Sequence, residues 1–231
     1  MIKSFLITIS FSILLHSSEQ ILFVVADDFN ATNATMECYE GHRVVYKDIK
    51  VNLGKNGLGW GIGVQKVAHN LDEPIKREGD GRAPAGIFTL SDSFGYAHSP
   101  LTRNMPYLYA DANLICVDEV NNPFYNQIIE ANGDEKSFEF MRRLDMQYKY
   151  GVVVEHNPLA QKQRGSCIFL HIQKAKKHPT VGCTSMSEKD LKRVIKWLDK
   201  KKKPILIQLP KKYAKKILKE YPFLKESKLL K

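Results

Sequence analysis

Short apolar runs, and runs in which apolar and polar residues alternate, are spread along most of the chain, and this pattern is typical of β-strands. Strands are predicted over Ile21–Ala26, Arg43–Leu53, Ala112–Val120, Tyr150–Glu155, Ser166–Ile172 and Pro204–Leu209. Along Ser166–Ile172, the alternation places Cys167, Phe169 and His171 on one face of the strand. The chain is therefore expected to be rich in β-structure.

Three other segments carry apolar residues at the spacing of a helix. The predicted helices are Asp134–Leu144, Ser187–Lys200 and Lys211–Glu220. In the first, Phe138, Met141 and Leu144 share one face, and the second opens with Ser187-x-x-Asp190, which resembles a capping box. The predicted fold class is thus α+β and β-rich, with a curved sheet or sandwich and peripheral helices.

Two glycine-rich stretches separate the early strands. The first, Gly54–Gly63, lacks the Lys-Ser/Thr ending of a phosphate-binding loop, and we interpret it as a turn where two backbone segments approach closely. The second runs from Glu78 into a predicted strand. Its Glu78 and Asp80 are either an acid/base pair or, between glycines, residues that shape the turn or bind substrate amines.

Basic residues are concentrated at one end of the 231-residue chain, which has 35 Lys and Arg against 25 Asp and Glu. Residues 200–231 hold twelve Lys and two Glu, so this segment accounts for the net charge of +10 and the remainder is neutral. No nucleic-acid partner is expected, because a nucleic-acid-binding domain carries its basic residues on the folded body. The tail is either a solvated lysine face or a surface for an anionic membrane or glycan.

The first residues are predicted to be an export signal, since Lys3 precedes the mostly apolar run Phe5–Leu15 and a small polar stretch. The alternative is a buried first strand or helix. The expected organisation is a signal peptide over 1–18, one folded domain over 19–210 and a basic tail over 211–231. Export would place Cys38, Cys116, Cys167 and Cys183 in an oxidising compartment that permits disulfides.

The residues that carry chemistry are a histidine near the end of a strand and a cysteine after a loop. His171 precedes the loop, and Thr180-Val-Gly182-Cys183 follows it. A nearby imidazole can take the proton of a thiol whose ordinary pKa is about 8.5, and backbone amides can stabilise a developing oxyanion. This arrangement suits acyl transfer through a thioester.

Other interpretations of the same residues stay open at this level. In one interpretation, Cys183 is an inert buried cysteine and His171 is a structural histidine. In another, four residues bind zinc: Cys167, His171, His178 and Cys183. The strand opposes the zinc site, because residues four apart along it lie about 13 Å apart while zinc bonds measure about 2.0–2.3 Å. A third possibility is a Cys167–Cys183 disulfide that silences the site reversibly. We expect no metal and no cofactor.

The motif around Cys183 resembles the signature of the L,D-transpeptidase (YkuD-like) catalytic domain, in which a His and a loop precede Ser/Thr-x-Gly-Cys. The block from Lys76 to Phe88, with its Glu-Gly-Asp-Gly-Arg-Ala-Pro-Ala-Gly-Ile-Phe sequence, resembles a second motif of this family and suits its periplasmic peptidoglycan branch. The similarity spans roughly Ile21–Leu209. It implies the fold of that catalytic domain and an exported bacterial enzyme of the periplasm or cell envelope.

By this resemblance, Cys183 is the nucleophile and His171 the general base. The Ile172 carbonyl orients the imidazole, and the Gly182 and Cys183 amides form the oxyanion hole. Weaker substrate-binding candidates are Thr180, Ser185, Arg164, Arg82 and Lys174. Ser185 stands where many relatives have Arg or Asn, which leaves the donor specificity open.

The implied substrate is a peptidoglycan stem tetrapeptide that loses D-Ala as the thioester forms. An amine acceptor then gives a transpeptidase, whereas water gives an L,D-carboxypeptidase. The remaining alternative is a catalytically silent peptidoglycan-binding module.

Overall fold

A computed structural model describes residues 19–231, so the predicted export signal at 1–18 lies outside the described residues. The strands are β1 Gln20–Ala26, β2 Asn33–Glu40, β3 Arg43–Asn52, β4 Leu58–Trp60, β5 Ala83–Gly95, β6 Tyr107–Tyr109, β7 Leu114–Val117, β8 Ile128–Glu130, β9 Phe138–Phe140, β10 Tyr150–Val154, β11 Phe169–Ile172, β12 Thr184–Met186 and β13 Ile205–Pro210. The helices are α1 Glu188–Trp197 and α2 Lys211–Ala214, with 3₁₀ turns at Lys200–Lys202, Lys216–Lys219, Pro222–Glu226 and Lys228–Leu230. The described chain is mostly β, as the sequence predicts. Neither of its α-helices has the length and apolar character that a membrane span requires.

Eight of the strands close into a barrel, in the order β10-β11-β12-β3-β2-β1-β13-β5, with β5 paired back onto β10. The thirteen residues of β5 make this closure possible. Its first half pairs with β13 over Gly86–Thr89, and its second half pairs with β10 over Leu90–Gly95. The predicted curved sheet or sandwich is therefore a closed sheet, which leaves the ring without a free edge.

The main core fills the barrel and continues beneath α1. All seven residues of β1 are buried, because β1 lies between β2 and β13 in the middle of the ring. Leu191, Val194 and Ile195 form the buried face of α1. The Ser187 hydroxyl accepts a hydrogen bond from the Asp190 amide at 3.1 Å and donates one to the Asp190 carboxylate at 2.6 Å. This reciprocal cap confirms the predicted start of the helix.

A small antiparallel sheet, in the order β8-β7-β9, stands apart from the barrel. It includes part of Asp134–Leu144, so the predicted helix there is wrong. Met141 is buried, but Leu144 is fully exposed. The three apolar residues therefore do not form one buried face, and β9 gains its backbone hydrogen bonds from β7 instead.

A disulfide ties the small sheet to the barrel. Cys116 of β7 is bonded to Cys167, which lies two residues before β11. The predicted inhibitory bond between Cys167 and Cys183 is therefore wrong, because Cys167 already has a partner and Cys183 is a free thiol. Because its sulfur is bonded to Cys116, Cys167 also cannot be one of the four zinc ligands considered above. Within residues 19–231, no group of three or more His, Cys, Asp or Glu is placed to hold a metal ion.

The C-terminal residues fold onto the barrel instead of forming one amphipathic helix over Lys211–Glu220. The α-helix ends at Ala214, and 3₁₀ turns continue the segment. Tyr213, Ile217 and Leu224 are buried in the main core. The apolar residues of this segment are therefore used inside the molecule, and its lysines face outward.

Close backbone approach explains the first glycine-rich stretch. Gly57 has a φ of +76°, and a Cβ there would lie 2.0 Å from the Phe29 carbonyl oxygen. A Cβ on Gly63 would lie 2.0 Å from the Ile87 carbonyl oxygen. No other residue fits at these positions, so the predicted turn with close contacts is confirmed.

Candidate active site

Two neighbouring parallel strands bring the predicted nucleophile and base to one region. In the pairing of β11 with β12, His171 lies opposite Ser185, and Cys183 directly precedes β12. Since side chains alternate along a strand, Cys183 and His171 lie on the same face as Phe169. The alternation predicted for Ser166–Ile172 is what directs His171 toward the cysteine instead of into the barrel.

His171 is held in one tautomer. Its Nδ1 lies 2.8 Å from the carbonyl oxygen of Ile172, and a carbonyl only accepts, so Nδ1 carries the hydrogen. This leaves Nε2 with a lone pair that can take a proton. His171 is 5% exposed, and burial lowers its pKa to about 4 despite the opposing hydrogen bond to Ile172. The imidazole is therefore neutral at physiological pH.

Cys183 is a buried free thiol with partners of its own. The Phe169 amide donates to Sγ at 3.3 Å, and Sγ lies 3.5 Å from the Cys167 carbonyl oxygen, to which it donates. Burial raises the pKa of Cys183 to about 12, with a further increase from the Glu139 carboxylate. The Phe169 amide, the Tyr148 hydroxyl and the Lys76 ammonium oppose this shift. The resting group is consequently a neutral thiol.

Among the hydrogen bonds of the described residues, none joins Cys183 to His171. At rest the thiol donates to the Cys167 carbonyl, so its hydrogen is not directed at Nε2. Catalytic hydrogen bonds are often long or absent before substrate binds. The resting pair is thus uncharged, which avoids an ion pair buried in a poorly solvated region.

The loop before Cys183 is braced by Thr180. Its hydroxyl donates to the Cys183 carbonyl at 2.6 Å, and its oxygen accepts from the Gly182 amide at 3.1 Å. Thr180 therefore holds the loop in shape. The Gly182 amide is engaged at rest and must leave Thr180 before it can donate to an oxyanion.

A polar cavity of about 210 Å³ contains Cys183 and Gly182. Its charged lining comes from Lys55, Lys76, Glu78, Asp118 and Glu139. Cations and anions thus line the cavity beside Cys183 together, as suits a zwitterionic ligand. The cavity contains neither Arg82 nor Arg164 nor Ser185.

The Lys76–Arg82 turn supplies part of this lining. Asp80 accepts from the Lys76 ammonium at 2.6 Å and from the amides of Arg77 and Arg82, so it shapes the turn. The Lys76–Asp80 pair is largely buried. Glu78 accepts from the hydroxyls of Tyr125 and Ser166 and lines the cavity beside Cys183. These contacts favour the turn-shaping interpretation over a paired-carboxylate acid and base.

The weaker candidates lie elsewhere. The Arg82 guanidinium donates to the Leu58 carbonyl at 2.9 Å, and the buried Ser185 hydroxyl accepts from Asn52 at 3.3 Å. Arg164 lies beside His156, whose Nε2 is 2.8 Å from the Arg164 carbonyl oxygen. Lys174 is exposed on the loop after β11. None of these four residues lines the cavity beside Cys183, although Ser185 lies opposite His171 in the strand pairing.

Sequence reasoning missed two residues that adjoin the pair. Tyr148 packs edge-on against the His171 ring with centroids 5.2 Å apart, and its hydroxyl donates to Glu139 at 2.6 Å. Glu139 falls within the wrongly predicted helix, and Tyr148 lies just before a predicted strand. Neither position carries a motif: the small sheet brings Glu139 to the site through non-local pairing, and Tyr148 comes from the segment just before β10.

Comparison with known proteins gives one match that covers most of the chain. The family model for the L,D-transpeptidase catalytic domain (YkuD) matches residues 23–207. Neither the curated proteins nor the solved structures gave a match to the chain.

Proposed function

This chain belongs to the L,D-transpeptidase catalytic-domain family, and we propose that it is a cysteine acyltransferase acting on peptidoglycan stem peptides. Cys183 is the nucleophile and His171 the base. The observation that carries this assignment is a free thiol in a polar cavity, on the same strand face as an imidazole whose Nδ1 is bound to a carbonyl. Family membership supplies the substrate class.

The first half-reaction forms the thioester. The Cys183 side chain rotates away from the Cys167 carbonyl, and Nε2 of His171 takes the thiol proton as sulfur attacks the donor carbonyl carbon. The Gly182 and Cys183 amides stabilise the oxyanion. The imidazolium then protonates the leaving amine, the carbon–nitrogen bond breaks, and D-Ala departs. An acceptor amine or water resolves the thioester in the second half-reaction.

Export to the bacterial periplasm or cell envelope is part of the proposal. The Cys116–Cys167 disulfide supports it, because such bonds persist in oxidising compartments. N-terminal sequencing of the mature protein from an expressing bacterial envelope tests the predicted signal peptide. A mature chain beginning near residue 19 is expected, and an intact N-terminus in a cytoplasmic fraction would contradict export.

The basic tail is proposed to hold the enzyme on an anionic membrane or glycan by charge alone. Its apolar residues are buried, so deleting the tail would damage the core. Exposed lysines are better targets, and we choose Lys215, Lys219 and Lys225. Changing all three to Gln is expected to weaken retention on purified sacculi or anionic vesicles at low salt. Unchanged retention of the triple variant would refute this surface.

Mass spectrometry of muropeptides tests the reaction itself. Wild-type protein lacking residues 1–18 is incubated with tetrapeptide donors, alongside Cys183→Ala and the matched variant Cys38→Ala, which removes the other free thiol. We expect cross-linked dimers and free D-Ala with wild type and Cys38→Ala, and neither with Cys183→Ala. Tripeptide without dimers would establish the carboxypeptidase instead. No product from folded wild-type protein would favour the silent binding module.

A further inference from the structure

A carboxylate stands between two cavities at the site. Glu139 lines the small cavity that contains Cys183, and it also lines a larger cavity of about 1060 Å³. The larger cavity is partly apolar, with Phe138, Phe140 and Tyr150 among its lining residues. Glu139 is therefore placed to contact both a group in the larger cavity and the thioester of the proposed reaction.

Glu139 has spare capacity to accept hydrogen bonds. Within the described residues, the Tyr148 hydroxyl is the one hydrogen-bond donor to its carboxylate, at 2.6 Å. Arg143, whose charge also acts on Glu139, is paired with Asp145 at 2.6 Å instead. A carboxylate has about four lone-pair positions, so most of its acceptor capacity is unused. Burial raises the pKa of Glu139, against the opposing effects of Tyr148 and Arg143.

Tyr148 links this carboxylate to the reacting pair. It is buried, its ring packs on His171, and its hydroxyl donates to Glu139 at 2.6 Å. One side chain therefore contacts both the imidazole and the Glu139 carboxylate.

The acceptor half-reaction requires a second proton acceptor. An amine arrives as an ammonium ion and must lose one proton before it attacks and a second as the amide forms. His171 takes one of these protons and returns it to the sulfur when the carbon–sulfur bond breaks. The other proton needs a separate base. Hydrolysis has no such need, because water gives its one transferred proton to His171 and that proton passes to sulfur.

We propose that Glu139 is the catalytic residue that binds the acceptor ammonium group and takes its first proton, so that it selects aminolysis of the thioester over hydrolysis. The proton leaves to solvent through the larger cavity. The carbon–nitrogen bond forms and the carbon–sulfur bond breaks without any further reactant. Tyr148 acts as a positioning residue for this carboxylate. The assignment rests on the proposed thioester chemistry.

The test measures how the acyl-enzyme is partitioned. Glu139→Gln keeps the shape and can still accept from Tyr148, but it is not a base at neutral pH. Thioester formation is followed by intact-protein mass spectrometry, and the ratio of cross-linked dimer to tripeptide is measured at fixed acceptor concentration. The control is Glu130→Gln, on the exposed part of β8 in the same small sheet.

We expect Glu139→Gln to lower the dimer-to-tripeptide ratio by about 100-fold, the low end of the range for general-base catalysis, while thioester formation and hydrolysis persist. Alkylation of Cys183 by iodoacetamide is expected to become faster, because a negative charge that opposes the thiolate is removed. Unfolding would also speed alkylation, so the discriminating result is a lower dimer-to-tripeptide ratio in a variant that forms the thioester as fast as Glu130→Gln and unfolds at the same urea concentration. Tyr148→Phe is expected to lower the ratio less.

The outcomes separate the two proposals. An unchanged ratio in Glu139→Gln, with normal thioester formation, overturns the role of Glu139 alone. Wild-type protein that forms no adduct on Cys183 overturns the proposed function and this inference with it. Wild-type protein that forms the thioester but yields only tripeptide also overturns the role of Glu139, since no aminolysis then occurs.

Discussion

Breaking the Cys116–Cys167 bond is expected to cost the protein about 4 kcal/mol of folding free energy. The two cysteines are 51 residues apart, and a cross-link at that separation removes loop entropy from the unfolded chain worth about 4 kcal/mol at 25 °C. For a chain of this size, the loss corresponds to a drop in melting temperature of about 8–16 °C.

Urea unfolding measures this effect, with the fluorescence of Trp60 and Trp197 as the signal. The oxidised and the reduced wild-type protein are compared first, because reduction breaks the bond without changing side-chain volume. The double variant Cys116→Ala with Cys167→Ala checks the result and should not respond to reductant. A difference below about 1 kcal/mol between the two wild-type forms would refute the calculation. Mass mapping that found both thiols free in the oxidised protein would refute the pairing itself.

The pKa shifts at the site give two further predictions. At pH 8, iodoacetamide should alkylate Cys183 about 1000-fold more slowly in the folded protein than in urea, because a pKa of about 12 instead of 9 leaves that much less thiolate. Equal rates, measured by peptide mass spectrometry in a Cys38→Ala background, would contradict the buried thiol. The contribution of His171 and His156 to the free energy of unfolding should be fully present above pH 6.5 and decrease as the pH falls toward 4. Burial lowers the pKa of both histidines to about 4 in the folded protein, so the unfolded chain binds protons at a higher pH than the folded chain does. Each histidine contributes up to about 3 kcal/mol to the free energy of unfolding above pH 6.5. His156→Asn should therefore make that free energy, measured by urea unfolding, depend less on pH. An unchanged pH dependence in this variant would contradict the prediction.

The sequence predicts those parts of the fold whose signal is local. β1, β10 and β13 appear as short apolar runs, and the start of α1 appears in Ser187 and Asp190, three residues apart. Cys183 and His171 are found because strand alternation and a short motif place them together. The Ile172 carbonyl beside the imidazole was expected from the family resemblance and not from a local pattern.

Features that depend on distant pairing escape such patterns. Phe138 and Phe140 form β9 only because β7 offers a partner, whereas their spacing to Met141 imitates a helix. Cysteine spacing does not determine which cysteines pair, so the Cys116–Cys167 bond was unpredictable. Glu139 joins the site through this small sheet and Tyr148 from the segment before β10, and no sequence signal marked either residue.

The position of β13 in the ring has a consequence for how the chain folds. Residues 205–210 provide the only strand between β1 and β5 in the described ring, although β1 begins at residue 20. A nascent chain that has not yet supplied these residues leaves both strands with unpaired edges, so the ring cannot close while synthesis is incomplete. Contacts at such long separation slow folding. The chain therefore has an interval after synthesis begins in which it is still open, and chaperones or a secretion apparatus can engage it before the barrel becomes final.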